Sequence, residues 1–384
     1  LPPLSDPITS RYLLEMRSIG PPQIARSLQG ERVLLLGSGS LIKPLTQSIE
    51  GAGGRVEIAA CSTRQQAIES ITAAESGGAV HHLVLVDRDP GGEHLAWPAR
   101  KEARVESLFF GVQHWLNLRE AAGELATSSL TALVDLGGDF GRSGQIAQVE
   151  GGAICGLLKN LNREYPETFM RVVDAGADLS EATLCERFVA EMGDAAGPVE
   201  VGLLANGRQV AAVTHAELTD SLNDLPEALQ RGSVWIVTGG ARGVTAACAQ
   251  QLAARYGVTM VLVGSTQPEQ INPSWLSLDE AGLKKLKGET MVAAKKRGED
   301  PRIGWGRIEK SLEIHRSLAM LAADGADAHY EVCDLSNAVQ VQGLVDCVTQ
   351  KYGSVRGLIH GAGYEASCRF SKKTPEGLAA TLGP

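Results

Sequence analysis

Val234-Trp235-Ile236-Val237-Thr238-Gly239-Gly240-Ala241-Arg242-Gly243-Val244 carries the reading of this chain. A short β-branched and aromatic run ends in three closely spaced glycines, and a helix-length segment, 244–255, follows at once. Glycine permits the tight turn and the close backbone approach that a strand-to-helix corner needs. In that context the turn presents free N–H groups and the positive end of a helix to an anion, which is the requirement of a dinucleotide pyrophosphate. Gly239 and Gly243 are expected to line the phosphates, Thr238 to brace the turn through its hydroxyl, and Gly240, Ala241 and Val244 to complete it. Arg242 projects from the loop and is a candidate partner for a 2′-phosphate. The plainer reading is a glycine turn with a solvent-facing arginine.

Downstream, strands are expected at 260–263, 328–333 and 357–360, and Val341, Leu344, Val345 and Val348 make an i, i+3, i+4, i+7 helix face. The strand ends are informative. Val263-Gly264-Ser265-Thr266 lacks the carboxylate that would bind a ribose 2′-hydroxyl, so Gly264 and Ser265 favour NADP over NAD. In Cys333-Asp334-Leu335, Asp334 can accept from an adenine amino group while the next amide donates to the ring; it can equally belong to the N-cap region of a helix from Asn337. The small residues of His360-Gly361-Ala362-Gly363 would let a ribose lie against the backbone, with His360 read as a packed strand-end residue rather than a base.

The same rhythm fills the first half. Strand-like runs at 32–36, 56–60, 82–86, 130–136, 170–174 and 199–204 alternate with helix-length segments such as 105–122 and 152–163, and 209–214 returns after Asn206-Gly207. Alternation of this kind marks a parallel sheet covered on both faces by helices. Arg32-Val33-Leu34-Leu35-Leu36-Gly37-Ser38-Gly39 repeats the strand-into-glycine form. The expectation is an α/β chain of two tandem Rossmann-like subdomains with parallel sheets, 1–225 and 226–384, the second incomplete at its C-terminus. The joint falls in the polar stretch 217–232, with the boundary near 225.

Residues 267–324 exceed an ordinary connection and are expected to form a helical insertion, with helices over 283–297 and 308–323 and Ile314, Leu318 and Leu321 on one face. Its Lys284, Lys285, Lys287, Lys295, Lys296 and Arg297 read as a solvated helix face, with an acidic partner as the alternative.

Composition bounds the function. A chain of 384 residues suits two cores, and 43% hydrophobic with 21% charged residues excludes disordered and fibrous classes. The formal charge of −9 gives no general attraction to nucleic acid or to an anionic membrane. No stretch reaches the length of a membrane span. Leu1-Pro2-Pro3-Leu4-Ser5-Asp6-Pro7 lacks the regions of a signal peptide and reads as a linker cut from something longer. Seven scattered cysteines without a C-x-x-C pair indicate reduced, mostly buried thiols, a cytoplasmic setting and no metal site.

The three strand-end patterns, in this order, resemble the short-chain dehydrogenase/reductase family. Arg11-Tyr12-Leu13-Leu14-Glu15, Gly156-Leu157-Leu158-Lys159-Asn160-Leu161-Asn162-Arg163-Glu164-Tyr165-Pro166 and Glu200-Val201-Gly202-Leu203-Leu204 resemble the structural subdomain of ketoreductase domains in type I polyketide synthases and polyunsaturated-fatty-acid synthases. Thr238-Gly239-Gly240-Ala241-Arg242-Gly243-Val244-Thr245, with the long helical insertion, is more similar to the fatty-acid-synthase and iterative-polyketide branch. The resemblance covers essentially the whole chain. It implies a first half without cofactor, and Gly37-Ser38-Gly39-Ser40-Leu41-Ile42 indeed lacks the third glycine. It further implies NADPH on the second half and reduction of a β-ketothioester tethered by phosphopantetheine to an acyl carrier protein, among the other domains of a megasynthase.

Such a reductase needs a tyrosine acid, a lysine that lowers its pKa and a serine that polarises the carbonyl. None of the six tyrosines is followed four positions later by Lys or Asn. Only 21 residues follow Gly363, too few for the strand and helix that carry Ser and Tyr in the resembling domains. No catalytic residue is therefore assigned, and this length of chain is expected to bind without turning over. The alternatives are a non-catalytic dinucleotide-fold module that serves as scaffold or docking surface, and a stand-alone dehydrogenase with an unrelated N-terminal domain.

Overall fold

A computed structural model describes residues 10–87, 96–144, 146, 149–194, 197–217, 226–363 and 365–382. The linker-like start, the expected boundary near 225, Tyr364 and the closing Gly383-Pro384 lie outside the described residues. The chain divides into two compact units, Leu1–Thr219 with Cys368–Lys373, and Asp220–Ser367 with Thr374–Pro384. A single cut in the sequence therefore does not separate them, because the short Cys368–Lys373 stretch groups with the first unit. Phe370 in that stretch is buried, its N–H donates to Glu164 Oε1 (2.8 Å) and its carbonyl accepts from Gln113 Nε2 (2.6 Å).

The first unit runs β1 (Arg11–Ile19), β2 (Arg32–Gly37), α1 (Ile42–Gly51), β3 (Arg55–Ala59), α2 (Arg64–Ser76) and β4 (His82–Asp87). It continues with α3 (Trp97–Lys101), α4 (Ser107–Ala122), β5 (Ser129–Val134), α5 (Gly151–Glu164), β6 (Phe169–Ala175), α6 (Glu181–Gly193), β7 (Glu200–Leu204) and β8 (Gly207–Ala216). These strands form one sheet in the order β1-β8-β7-β6-β5-β4-β2-β3. Strands β2 to β7 pair in parallel, whereas β8 returns antiparallel to β7 and β1 pairs antiparallel with β8, so the sheet is mixed at one edge.

The parallel strands are buried on both faces, which explains their continuous apolar runs. Leu34 and Leu36 enter one core with Trp115 and Leu158, while Val33 and Leu35 enter the opposite one with Phe188 and Val201. Beneath the second core, the guanidinium of Arg171 is fully buried between the carboxylates of Glu191 and Asp194, which Arg208 also binds.

The second unit runs β9 (Val234–Thr238), α7 (Gly243–Tyr256), β10 (Thr259–Gly264), α8 (Glu280–Lys296), α9 (Pro301–Ala323), β11 (Ala328–Val332), α10 (Ala338–Tyr352), β12 (Val355–His360) and α11 (Pro375–Leu382). Its sheet is parallel throughout, in the order β11-β10-β9-β12. Central β10 is almost wholly buried, and β12 at the edge alternates, with Leu358 exposed.

The region between β10 and β11 is only partly an addition. A small core of Leu286, Trp305 and Leu312 ties α8 to the first half of α9. Ile314 and Leu321, farther along α9, pack instead into the core under the sheet with Val237 and Leu262. The second half of α9 is thus the crossover helix that a parallel connection requires, and the added material is α8 with the first turns of α9.

Cys61, Cys155, Cys185 and Cys333 are buried, but Cys248 and Cys368 are exposed, because the helix and loop positions they occupy face solvent. Among the described residues no helix is long and apolar enough to cross a membrane, and no group of three metal-ligating side chains occurs.

Candidate functional site

In the second sheet β9 has β10 on one side and β12 on the other, so the connections leave it in opposite directions. Such a reversal opens a crevice beyond the carboxyl ends of the strands. There backbone hydrogen bonds hold the turn after β9: Gly239 N–H donates to Val263 O (2.8 Å) and Gly361 N–H to Thr238 O (2.9 Å). Thr238 Oγ1 lies 2.8 Å from His360 Nδ1 and accepts from Ala362 N–H at 3.3 Å, so the hydroxyl ties the ends of β9 and β12 together.

Two glycines are demanded by conformation. Gly239 has φ +66° and Gly243 φ +58°, in the left-handed region. A β-carbon on Gly239 would lie 2.7 Å from Gly361 O, whereas one on Gly243 would meet nothing within 4 Å. The turn is therefore packed beneath and open above.

Helix α7 starts at Gly243 with Arg242 at its N-cap, no side-chain cap and no acid in its first turn. The other helices of this sheet are treated differently: Asp279 caps α8, Asp300 caps α9 and Asn337 caps α10. First-turn N–H groups have no partner within a helix, so those of α7 remain for an anion.

A cavity of about 680 Å³ adjoins the turn. Its wall contains Gly239, Ala241 and Arg242 from the turn, Gly264 and Ser265 after β10, Cys333, Asp334 and Leu335 after β11, and Gly361, Ala362 and Gly363 after β12. Thr238, Gly240, Gly243, Val244 and His360 do not line it: Thr238 and His360 hold the frame, Gly240 is pressed against Val237, and Gly243 and Val244 open α7. The wall also includes Thr266, which closes the strand-end pattern after β10, together with Tyr330, Ser336, Lys310 and Ile314 of α9, and Ala379 and Ala380 of α11, which the strand-end patterns could not reveal.

The side chains on this wall are already arranged. Asp334 Oδ1 accepts from Ser336 N–H (3.0 Å) and Ser336 Oγ (2.7 Å), and these bonds hold its carboxyl below the usual range. Asn337, not Asp334, caps α10, accepting from Val339 and Gln340 N–H, so Asp334 is left facing the cavity. Burial raises the Tyr330 phenol, which donates to Thr266 O at 2.9 Å. Arg242 reaches the wall, but its Nε donates to the Glu313 carboxylate on α9.

Strand order, left-handed glycine turn, uncapped α7 and adjoining cavity together define a Rossmann-type dinucleotide fold. The family comparison agrees: residues 233–384, which apart from Cys368–Lys373 fall in this second unit, match the model of the KR domain. Over 252 residues the chain is 27% identical to one of the subunits of the polyunsaturated fatty acid synthase of Thraustochytrium sp., a match over 62% of this chain and 9% of that protein. Over 276 residues it is 22% identical to polyketide synthase PksL of Bacillus subtilis, over 71% of this chain and 5% of that protein. The chain thus spans less than a tenth of these relatives, which carry further domains. The solved A-type ketoreductases from a modular polyketide synthase share the fold, with a TM-score of 0.67 at 16% identity, over 97% of this chain and 68% of theirs. The class implies a nicotinamide dinucleotide as cofactor. The residues fit one: an open glycine cradle, uncapped helical N–H groups and a cavity with a carboxylate at its far strand.

Proposed function

We propose that the second unit binds NADPH, and that the protein to which this chain belongs reduces a β-ketoacyl thioester to the β-hydroxy form. The observation that carries the reading is the pairing of an uncapped α7 with a left-handed glycine turn against a cavity of about 680 Å³. When bound, the nicotinamide would supply the hydride.

The roles proposed for the residues follow the wall. Thr238, Gly239, Gly240, Ala241, Gly243 and Val244 form and hold the pyrophosphate turn, and Arg242 is the turn's candidate partner for the 2′-phosphate. Gly264 and Ser265, with no carboxylate after β10, accommodate a 2′-phosphate rather than a free 2′-hydroxyl. Cys333, Asp334 and Leu335 take the adenine, with Asp334 as acceptor. His360, Gly361, Ala362 and Gly363 leave room for the second ribose.

The substrate is proposed to arrive on the phosphopantetheine of an acyl carrier protein, within a megasynthase like the synthases that this chain matches. We take the first unit, 1–225 by sequence, as structural and 226–384 as the cofactor-binding part. A cytoplasmic setting suits the exposed Cys248 and Cys368. No tyrosine of this sequence stands four residues before Lys or Asn, so these 384 residues are expected to bind without turnover.

Calorimetric titration of NADPH and NADH into the chain tests the reading. Saturable NADPH binding, with no reduction of a β-ketoacyl thioester, is expected. Absence of any dinucleotide binding would favour the scaffold reading.

A further inference from the structure

Helix α9 does more than cross from β10 to β11. Lys310, Glu313, Ile314 and Ser317 follow the i, i+3, i+4, i+7 spacing, so they share one stripe of the helix. That stripe faces the glycine turn. Ser317 Oγ donates to Ala241 O at 2.7 Å in a buried bond, Glu313 pairs with Arg242, and Lys310 and Ile314 line the cavity.

The charges on this stripe are unequal in what they have left to give. Arg242, the cation nearest the turn, is held by Glu313, and both side chains are about half exposed (47% and 43%). Lys310 forms no ion pair or side-chain hydrogen bond among the described residues. Two residues after β10, Ser265 and Thr266, border the same cavity and bring hydroxyls but no charge. A dianionic group placed between that loop and α9 would find one ammonium free to meet it.

We propose that Lys310 is the residue that distinguishes a 2′-phosphorylated dinucleotide from its unphosphorylated counterpart, and that Glu313 tempers this preference by holding Arg242. The inference rests on the dinucleotide reading above and places the selectivity on α9 rather than in the loops after the strands. A charged hydrogen bond to phosphate gains strength from both charge and desolvation. Glu313 opposes it through the negative charge it holds against Arg242, a residue of the same wall.

The test is a titration of NADPH and of NADH into the full chain, as wild type, Lys310→Ala, Lys310→Arg and Glu313→Gln. Lys310→Ala should weaken NADPH by roughly 10- to 100-fold and leave NADH within about two-fold, as loss of one bond to a charged group dictates. Lys310→Arg should restore most of the NADPH affinity, and Glu313→Gln should tighten NADPH alone. Equal loss of both dinucleotides in Lys310→Ala, or no loss of NADPH in a chain that still prefers it, would overturn the inference and leave the cofactor reading standing. A wild-type chain that binds neither dinucleotide would overturn the cofactor reading and the inference together.

Discussion

The backbone of Gly239 lies against that of Gly361 so closely that a β-carbon on the first would come within 2.7 Å of the carbonyl oxygen of the second. The two residues end adjacent parallel strands, so the contact sets how near the β9 turn and the β12 loop can stand. Gly239→Ala adds the methyl and must also hold φ +66°. Strain of this kind costs about 1–3 kcal/mol. The variant should unfold earlier in the second unit and lose NADPH binding, read by thermal scanning and titration; unchanged affinity would show that the turn does not seat the dinucleotide.

Thr238 links the same two strands through its side chain. Thr238→Val keeps the shape and removes the hydroxyl shared by His360 and the Ala362 N–H. One lost buried hydrogen bond costs about 1 kcal/mol. The expected result is a modest loss of stability with several-fold weaker binding of NADPH and NADH alike, since the hydroxyl frames the site without touching the 2′ position. A selective effect on NADPH would contradict that placement.

Asp334 faces the cavity with one carboxylate oxygen occupied by Ser336. If the other serves the adenine, Asp334→Ala should weaken both dinucleotides by roughly ten-fold, the value of one hydrogen bond to a charged acceptor. A nicotinamide mononucleotide, which has no adenine, should bind wild type and variant equally. Loss of that smaller ligand as well would mean that the substitution disturbs the loop rather than the adenine contact.

What the sequence made legible follows from burial. Strands β2, β4, β5, β6, β9 and β10 stand out as apolar runs because both faces are covered. Strand β1 has hardly any covered residue, with Tyr12 and Leu14 exposed, so nothing in its pattern marks it as a strand; its nine-residue pairing with β8 does. The glycine turn was legible because its constraints are local. The contribution of α9 was not, since Ser317 meets Ala241 across 76 residues and no spacing rule connects them. The two roles open to Asp334 were separated only when Asn337 proved to be the cap.

The first unit carries its own test of packing. Arg171 is fully buried, with Nη1 3.2 Å from Asp194 Oδ2 and a second contact to Glu191. Arg171→Met would remove one of the two arginines that these buried carboxylates share and leave Arg208 between them. Removing one partner of such a network costs about 3–5 kcal/mol. Urea denaturation followed by the fluorescence of Trp115, which lies in this unit, should show the shift. A loss below about 1 kcal/mol would mean that the carboxylates take up protons or reach water instead, as exposed pairs do.

His82 gives the same unit an acid-sensitive element. The residue is 8% exposed, with Nδ1 2.7 Å from Ser129 Oγ. Burial pushes its pKa down to about 4, against the partial pull of Glu31, while Arg26 and His81 push in the same direction as burial. The sign follows from proton uptake. Between its folded value and the ordinary 6.5, the unfolded chain binds a proton that the folded chain refuses, so stability is present above that window and is lost as pH falls through it. From pH 7.5 to pH 5 the loss amounts to about 2 kcal/mol. Burial also raises the carboxyls of Asp87 and Asp174, the second to about 6, so the measurement is the difference between wild type and His82→Gln in urea denaturation at the two pH values. Glutamine can still reach Ser129 but takes up no proton. The wild type should lose about 2 kcal/mol more than the variant on acidification, and parallel losses would show that the imidazole is protonated in the folded chain.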